Sequence, residues 1–241
     1  MKYLDFVGAD GLPAPEELAV MQREIPGWIE EMERRGVRLL GRPLDLPETA
    51  ATVRVRDGET LVTDGPFVEA KEFIAGFDLV ECADLEEAIG VAAKGPVSWF
   101  MAIEIRPFAD GPWLGEGAPA FGRREDGTDS PYALAAWTGG TPAPPPADQA
   151  VMRQVKAWRQ DLQARGLRVL GGTLEGADTA TTLRVRAGKT LLSDGTFIKT
   201  GEFITDLDVV SCADREQAIQ LAAAHPLARY HAIEVRPFEN G

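Results

Sequence analysis

Residues 36–108 align with residues 166–238 at a constant offset of 130, without a gap, and 37 of the 73 aligned pairs are identical. This duplication limits the fold more than any other feature, because every element must be found twice. The period is far longer than the ~20–50 residues of solenoid repeats, so the chain is a duplicated domain. Each copy with its leading segment approaches the common domain size of ~100–150 residues. The expected division is a first domain over 1–110, a linker over 111–130, rich in Gly, Pro and charge, and a second domain over 131–241.

Each copy shows the same order of signals. An apolar segment (Lys2–Gly8, Tyr132–Thr138) predicts a first strand. A proline-bearing loop then leads into a helix, roughly Glu16–Arg35 and Ala147–Arg165. Val151, Val155, Trp158 and Leu162 form one stripe of the second helix, and Pro26 predicts a kink or break in the first. Trp28 and Trp158 correspond and fit core anchors. Gly36 and Gly166 suit helix C-caps. A second strand follows, then a hairpin turning at Asp57–Gly58, then a third strand, a helix N-capped by Asp84 or Asp214, and a last strand. This β-α-β-(hairpin)-β-α-β order is a ferredoxin-like α+β unit with an inserted hairpin. Its helix-free face needs cover, and the tandem copy offers it in the same chain.

Composition excludes several classes. The charge of −13 is concentrated in residues 1–120, which carry 11 Lys/Arg against 23 Asp/Glu, while 121–241 carry 14 against 15. Neither half has the basic footprint of a nucleic-acid binder. The start, MKYLDFVGAD, is acidic within five residues, and no apolar run has signal-peptide or membrane-span length, so a cytoplasmic protein is expected. Cys82 and Cys212 are repeat equivalents and fit core thiols. No P-loop, dinucleotide fingerprint or metal-ligand cluster stands out, so neither cofactor nor metal is expected.

The segment DGPFVEAKE (Asp64–Glu72), preceded by TVRVRDGETLVT, closely resembles the DGPF signature of the YCII-related family. HPLARYHAIEVRP (His225–Pro237) matches its later signature. The resemblance spans nearly the whole chain in two tandem copies. It implies a dimeric α+β barrel, here an intramolecular pseudo-dimer with two ferredoxin-like sheets face to face and a cleft near their junction. Activity in the DGPF branch is largely unassigned; other YCII-like proteins are thought to use a His–Asp pair, and related barrels include isomerases, dehydrochlorinases and monooxygenases. Members often stand beside sigma-factor-like regulators, which implies a transcription-regulator protein as one partner.

The copies differ in complementary ways. The first keeps Pro66, Glu69 and Lys71 against Thr196, Lys199 and Gly201; the second keeps His225, Arg229 and Tyr230 against Gly95, Trp99 and Phe100. Such a pattern suits one asymmetric functional cleft, and drift in a structural module would leave the same pattern. The first inter-strand helix holds no histidine in either copy, so the family's His–Asp mechanism does not carry over. Asp64 and Asp194 are candidate bases, or Asx-turn residues bonding their own backbone. Arg54/Arg56 and Arg184/Arg186 share a strand face as candidate anion clamps or solvated charge. Lys71, Glu72, Glu202 and His225 complete the candidate ligand-binding set, His225 also fitting a helix-end cap. Glu104/Arg106 and Glu234/Arg236 share a face of the last strand. Two functions fit: binding of a small molecule or protein partner in an accessory role, or a cofactor-free lyase or isomerase acting on a small anionic substrate.

Overall fold

The computed structural model describes residues 1–68, 71–109, 111–114, 130–138 and 149–239. Glu69, most of the expected linker and the second proline-bearing loop lie outside the described residues. In chain order the elements are β1 (Lys2–Ala9), α1 (Pro15–Arg34), β2 (Arg38–Pro43), β3 (Ala51–Arg56), β4 (Glu59–Asp64), β5 (Phe73–Glu81), α2 (Leu85–Lys94) and β6 (Ala102–Pro107). There follow β7 (Trp113–Leu114), β8 (Ser130–Thr138), α3 (Gln149–Ala164), β9 (Arg168–Thr173), β10 (Thr181–Arg186), β11 (Lys189–Asp194), β12 (Phe203–Cys212), α4 (Arg215–Ala224) and β13 (Ala232–Pro237). The class is α+β, as expected. No helix among the described residues is long and apolar enough to cross a membrane.

The chain forms two compact units that are not coextensive with its repeats. Unit 1 comprises Met1–Pro43, Ala70–Gly111 and Glu175–Thr200; unit 2 comprises Leu44–Glu69, Pro112–Leu174 and Gly201–Gly241. In unit 1 the strands run β11-β10-β6-β1-β5-β2, and in unit 2 β4-β3-β13-β8-β12-β9-β7. Within each, the four main strands (β6-β1-β5-β2; β13-β8-β12-β9) have the ferredoxin-like order. The hairpin, however, comes from the other repeat. Val53 of β3 pairs with Ile233 of β13, and Leu183 of β10 with Ile103 of β6.

Side-chain burial explains why the hairpins stay there. Ala51 and Val53 join the unit 2 core with Ile233, Val235, Val155 and Leu162; Leu183 joins the unit 1 core with Ile103, Ile105, Val80 and Met32. Each of these larger aliphatics contributes about 1.5–3 kcal/mol through burial. The backbone supports the placement: the Asp45 amide donates to the Pro237 carbonyl and that of Glu175 to Pro107.

Local signals set the element ends. After α1 the Gly36 and Val37 amides donate to Glu33 and Met32, and after α3 those of Gly166 and Leu167 donate to Gln163 and Leu162. Both are Schellman closures with glycine in the left-handed region. Asp84 and Asp214 cap α2 and α4 by accepting the Glu87 and Gln217 amides. The break expected at Pro26 does not occur; α1 is continuous through it. Pro26 lies on the exposed side, where water can serve the carbonyl it leaves without a donor. On the helix-free face of the unit 1 sheet, Leu4, Phe6, Phe77 and Leu79 are at most 1 % exposed.

Candidate functional site

The DGPF segment acquires its geometry from a strand of the other repeat. In unit 2 the Phe67 amide donates to Glu234 Oε2 at 3.1 Å, and Arg236 bonds the other carboxylate oxygen. Glu234 and Arg236 share one face of β13. Thr52 Oγ1 donates to the Gly65 carbonyl at 3.1 Å, fixing the turn from the neighbouring strand. The Phe67 ring is thereby held between two side chains: Arg54 lies 4.9 Å above its centroid, and Trp137 at 6.2 Å with planes inclined by 48°.

Unit 1 repeats this seat with one difference that matters. The Phe197 amide donates to Glu104 Oε2 at 2.7 Å, Arg106 donates to Glu104 Oε1 at 3.2 Å, Thr182 donates to the Gly195 carbonyl at 2.7 Å, and Arg184 lies 5.1 Å over the Phe197 ring. Strand register makes Gly8 the counterpart of Trp137, since they face Ala102 and Ala232. A Cβ on Gly8 would stand 2.2 Å from the Phe197 ring, so that ring sinks into the glycine's notch and is buried. In unit 2 the indole fills the notch and Phe67 is only half-buried.

The unit 2 seat carries buried polar atoms that meet no hydrogen-bond partner: Arg54 Nε, Trp137 Nε1 and Glu202 Oε2. Such atoms are few in folded proteins. Their counterparts Arg184 and Glu72 in unit 1 carry none. Arg54 and Trp137 stand level across the unit 2 sheet, on either side of Ala232, and Glu202 lies two residues beyond the position that faces Trp137. Trp137 pairs with Ala232 and with Ile204, Glu202 stands just ahead of β12, and the β13–β3 register continued by one step brings Arg54 beside Ala232.

A second polar group lies on the helix-facing side of unit 2. Asp206 and Asp208 project from β12, where Arg159 of α3 reaches both, at 2.5 Å and 2.9–3.0 Å. Thr173 donates to Asp206 at 2.9 Å, and Arg168 lies 3.5 Å from Asp208. His225 packs edge-on to Trp158, accepts the Leu227 amide at Nδ1 (3.1 Å), and holds Nε2 3.7 Å from each carboxylate. Burial alone would raise the Asp208 pKa, but Arg159 and His225 hold it well below the usual carboxylate range. Burial opposes charging His225 while the carboxylates favour it and outweigh burial. With Nδ1 accepting the Leu227 amide, Nε2 carries the ring proton toward the two carboxylates. Asp206, Asp208 and His225 could converge on a metal ion, but Arg159 already occupies that position and balances the carboxylates together with Arg168.

The residues singled out in the sequence disperse. Asp64 is 87 % exposed and pairs with Arg215 at 2.7 Å; the expected Asx turn is replaced by this ion pair. Asp194 is also exposed, at the end of β11. Arg56 donates to the Arg229 carbonyl, and Arg186 to those of Ser98, Trp99 and Phe100, so each ties a hairpin to the 3-10 turn before the last strand. Lys71 is exposed, and Glu72 half-buried at the start of β5. His225 caps an amide of the following turn rather than carbonyls of the preceding helix. Arg54 and Glu202 fall in unit 2 on either side of Trp137, which was not among those residues. The signal for Trp137 was its mismatch with Gly8; the signal for the buried cluster was the Asp206/Asp208 pair at strand spacing inside an apolar strand.

Comparison with known proteins agrees with the repeat structure. The model of the YCII-related domain matches residues 1–109 and 127–239. An uncharacterised protein of Rhizobium meliloti (strain 1021) is 54% identical over 48 residues, a match spanning 20% of this chain and 39% of that protein. Two solved structures show remote likeness: a chlorite dismutase-like protein (TM-score 0.42, 9% identity, 99% of this chain and 95% of that one) and an anthrone oxidase-like protein (0.38, 8%, 99% and 91%). With the family model covering nearly all of its length, the chain belongs to the YCII-related family, in two tandem copies.

Proposed function

We propose that this protein is a small-molecule binder with one working site, the unit 2 seat around Phe67, and that unit 1 keeps the same seat closed for structural reasons. The observation that carries this reading is the set of buried, unpartnered atoms of Arg54, Trp137 and Glu202. A buried polar group without a partner costs about 1–3 kcal/mol. Three in one sheet, absent from the closed copy, support a site completed by a ligand. An accessory, ligand-sensing role fits this arrangement better than turnover. The lyase alternative would rest on Asp64 or Asp194 as base, and both carboxylates stand in solvent rather than beside the seat.

The test is a fragment screen on the full chain by NMR, following the indole N–H signal of Trp137, assigned with Trp137→Phe. Fragments that shift that signal and lose affinity in Arg54→Gln support the site. Hits that leave the indole unmoved, or bind Trp137→Phe unchanged, would place binding elsewhere and overturn it.

A second reading has its own observation. Strands β4 and β11 end their sheets and are exposed along their whole length, with Leu61, Val62, Leu191 and Leu192 about half exposed. An open edge of this kind can accept an extended segment of a protein partner. Pull-down of a regulator that is lost on Val62→Lys or Leu192→Lys, with fragment binding retained, would assign that role to the edges.

A further inference from the structure

We infer that a second copy of this chain can supply the hairpin that completes each unit, so that two chains folding together interlock as an exchanged pair. The inference holds whether or not the unit 2 seat takes a ligand.

Each repeat gives up one segment to the other's sheet. Leu44–Glu69 of the first repeat lies in unit 2, and Glu175–Thr200 of the second lies in unit 1. Neither unit is complete without a segment from the other repeat. Without β3, strand β13 would be an open edge, and Ala51 and Val53 would lose the core in which they are fully buried. The hairpin cannot simply stand alone, because a two-stranded ribbon is marginal in water.

The bonds that dock each hairpin join repeat to repeat, and none of them requires that both repeats belong to one chain. In unit 2, Val53 pairs with Ile233, the Phe67 amide donates to Glu234, Arg56 donates to the Arg229 carbonyl, and Arg215 donates to Asp64 at 2.7 Å. In unit 1, Leu183 pairs with Ile103, the Phe197 amide donates to Glu104, and Arg186 donates to the carbonyls of Ser98, Trp99 and Phe100. A second copy presents the same strands, carboxylates and carbonyls in the same register, so the exchanged contacts equal the internal ones. Only the connection between β7 and β8 has to run to a different molecule, and its 15 residues can span about 50 Å.

Proximity alone favours the single chain, since two modules joined covalently meet at an effective concentration of roughly 1 mM. Chains that fold at a comparable concentration take a neighbour's repeat about as often as their own. Once docked, a hairpin leaves only by exposing its buried face, which holds the pair together after dilution. In the exchanged pair each unit 2 seat is built from two molecules: Arg54 and Phe67 come from one, Trp137 and Glu234 from the other.

The experiment uses the exposed Asp64–Arg215 pair. Full-length Asp64→Cys and Arg215→Cys chains with different affinity tags are unfolded, mixed, refolded together and treated with a short bismaleimide; Cys82 and Cys212 are buried and stay unreactive. Mixed-tag product should form after refolding at ~1 mM and be at least tenfold scarcer after refolding at ~10 µM. Chains folded apart and then mixed should give none, and the double variant Asp64→Cys/Arg215→Cys should cross-link within one chain at either concentration. Gel filtration of the parent chain, refolded at ~1 mM and then diluted, should show a persistent dimer. No mixed-tag product where the double variant cross-links would overturn the inference, as would equal product from chains folded apart, since surface association would then suffice. Should the cysteine variants misfold, the parent decides alone: monomer only after refolding at ~1 mM sinks the exchanged pair.

Discussion

The two units share one backbone plan and treat buried charge differently. In unit 2, Arg159, Asp206, Asp208 and His225 form a connected group between sheet and helices. The unit 1 counterparts are Ile29, Gly76, Asp78 and Gly95, and only Arg38 to Asp78, at 2.6 Å, remains. Unit 1 adds an unbalanced group: Asp5 lies opposite Asp78, where unit 2 has Leu134 opposite Asp208. Asp5 is 5 % exposed, and its Oδ1 has no hydrogen-bond partner. The scaffold thus accepts either an apolar filling or a complete charge network, and incomplete networks mark where the copies diverged. The comparison breaks first at Arg159. Arg159→Ile, importing the unit 1 residue, should cost about 3–5 kcal/mol because two buried carboxylates lose their partner. Adding Asp206→Gly, the other half of the unit 1 arrangement, should restore part of it. Urea unfolding measures both; a double variant no more stable than the single would show that the group is not one network.

The aromatic seats give the next largest effect. Gly8→Ala places a Cβ 2.2 Å from the Phe197 ring and should destabilise by about 1–3 kcal/mol. The same position in unit 2 already carries an indole, so the cost belongs to the closed seat and not to the strand. A Gly8→Ala protein as stable as the parent would mean that Phe197 can lift as Phe67 does, and the two seats would then be interchangeable.

Asp5 tests the comparison in the opposite direction. Burial, and then the Asp78 charge, raise its pKa well above the ordinary value of 3.8. Below about pH 4 both folded and unfolded chains hold the proton. As pH rises toward the folded-state value, the unfolded chain has released it and the folded chain has not, so stability falls. Asp5→Leu removes that loss and should stabilise by about 1–2 kcal/mol at neutral pH, with a gain that grows from pH ~4 upward. A gain that is flat across this range would show that Asp5 titrates in the fold as it does in the unfolded chain.

Much of the fold was legible because the duplication gave every signal twice: helix caps, hairpin turns and strand alternation agreed between copies. The hairpin exchange was not, for a physical reason. The strands that receive the hairpins, AIEIRP and AIEVRP, differ by one methylene, so sequence offers each hairpin two equivalent edges. The site was partly legible. Arg54 and Glu202 could be named from composition and spacing, but their placement in one unit with Trp137 depends on the exchange. Arg56, Arg186, Glu104 and Glu234 resisted drift because they hold turns and loops in place, a role that repetition alone could not separate from binding.

The hairpin tips offer the smallest and most local test. Both turns hold two residues at positive φ: Asp57 at 52° with Gly58 at 83°, and Ala187 at 49° with Gly188 at 72°. This pattern matches the twist of the strands and favours Asn, Asp or Gly first. Alanine gains no side-chain hydrogen bond there to offset the steric cost of the left-handed region. The flanking pairs differ as well, Arg56 facing Glu59 but Arg186 facing Lys189. Ala187→Asn should therefore stabilise by about 0.5 kcal/mol, and Lys189→Glu by a further ~0.2–0.5 kcal/mol through the cross-strand pair. Thermal melts at low and high salt separate them, since only the second gain is screened. If Asp57→Ala does not lose what Ala187→Asn gains, the two tips are not under the same backbone constraint, and their difference in sequence needs a cause outside the turn.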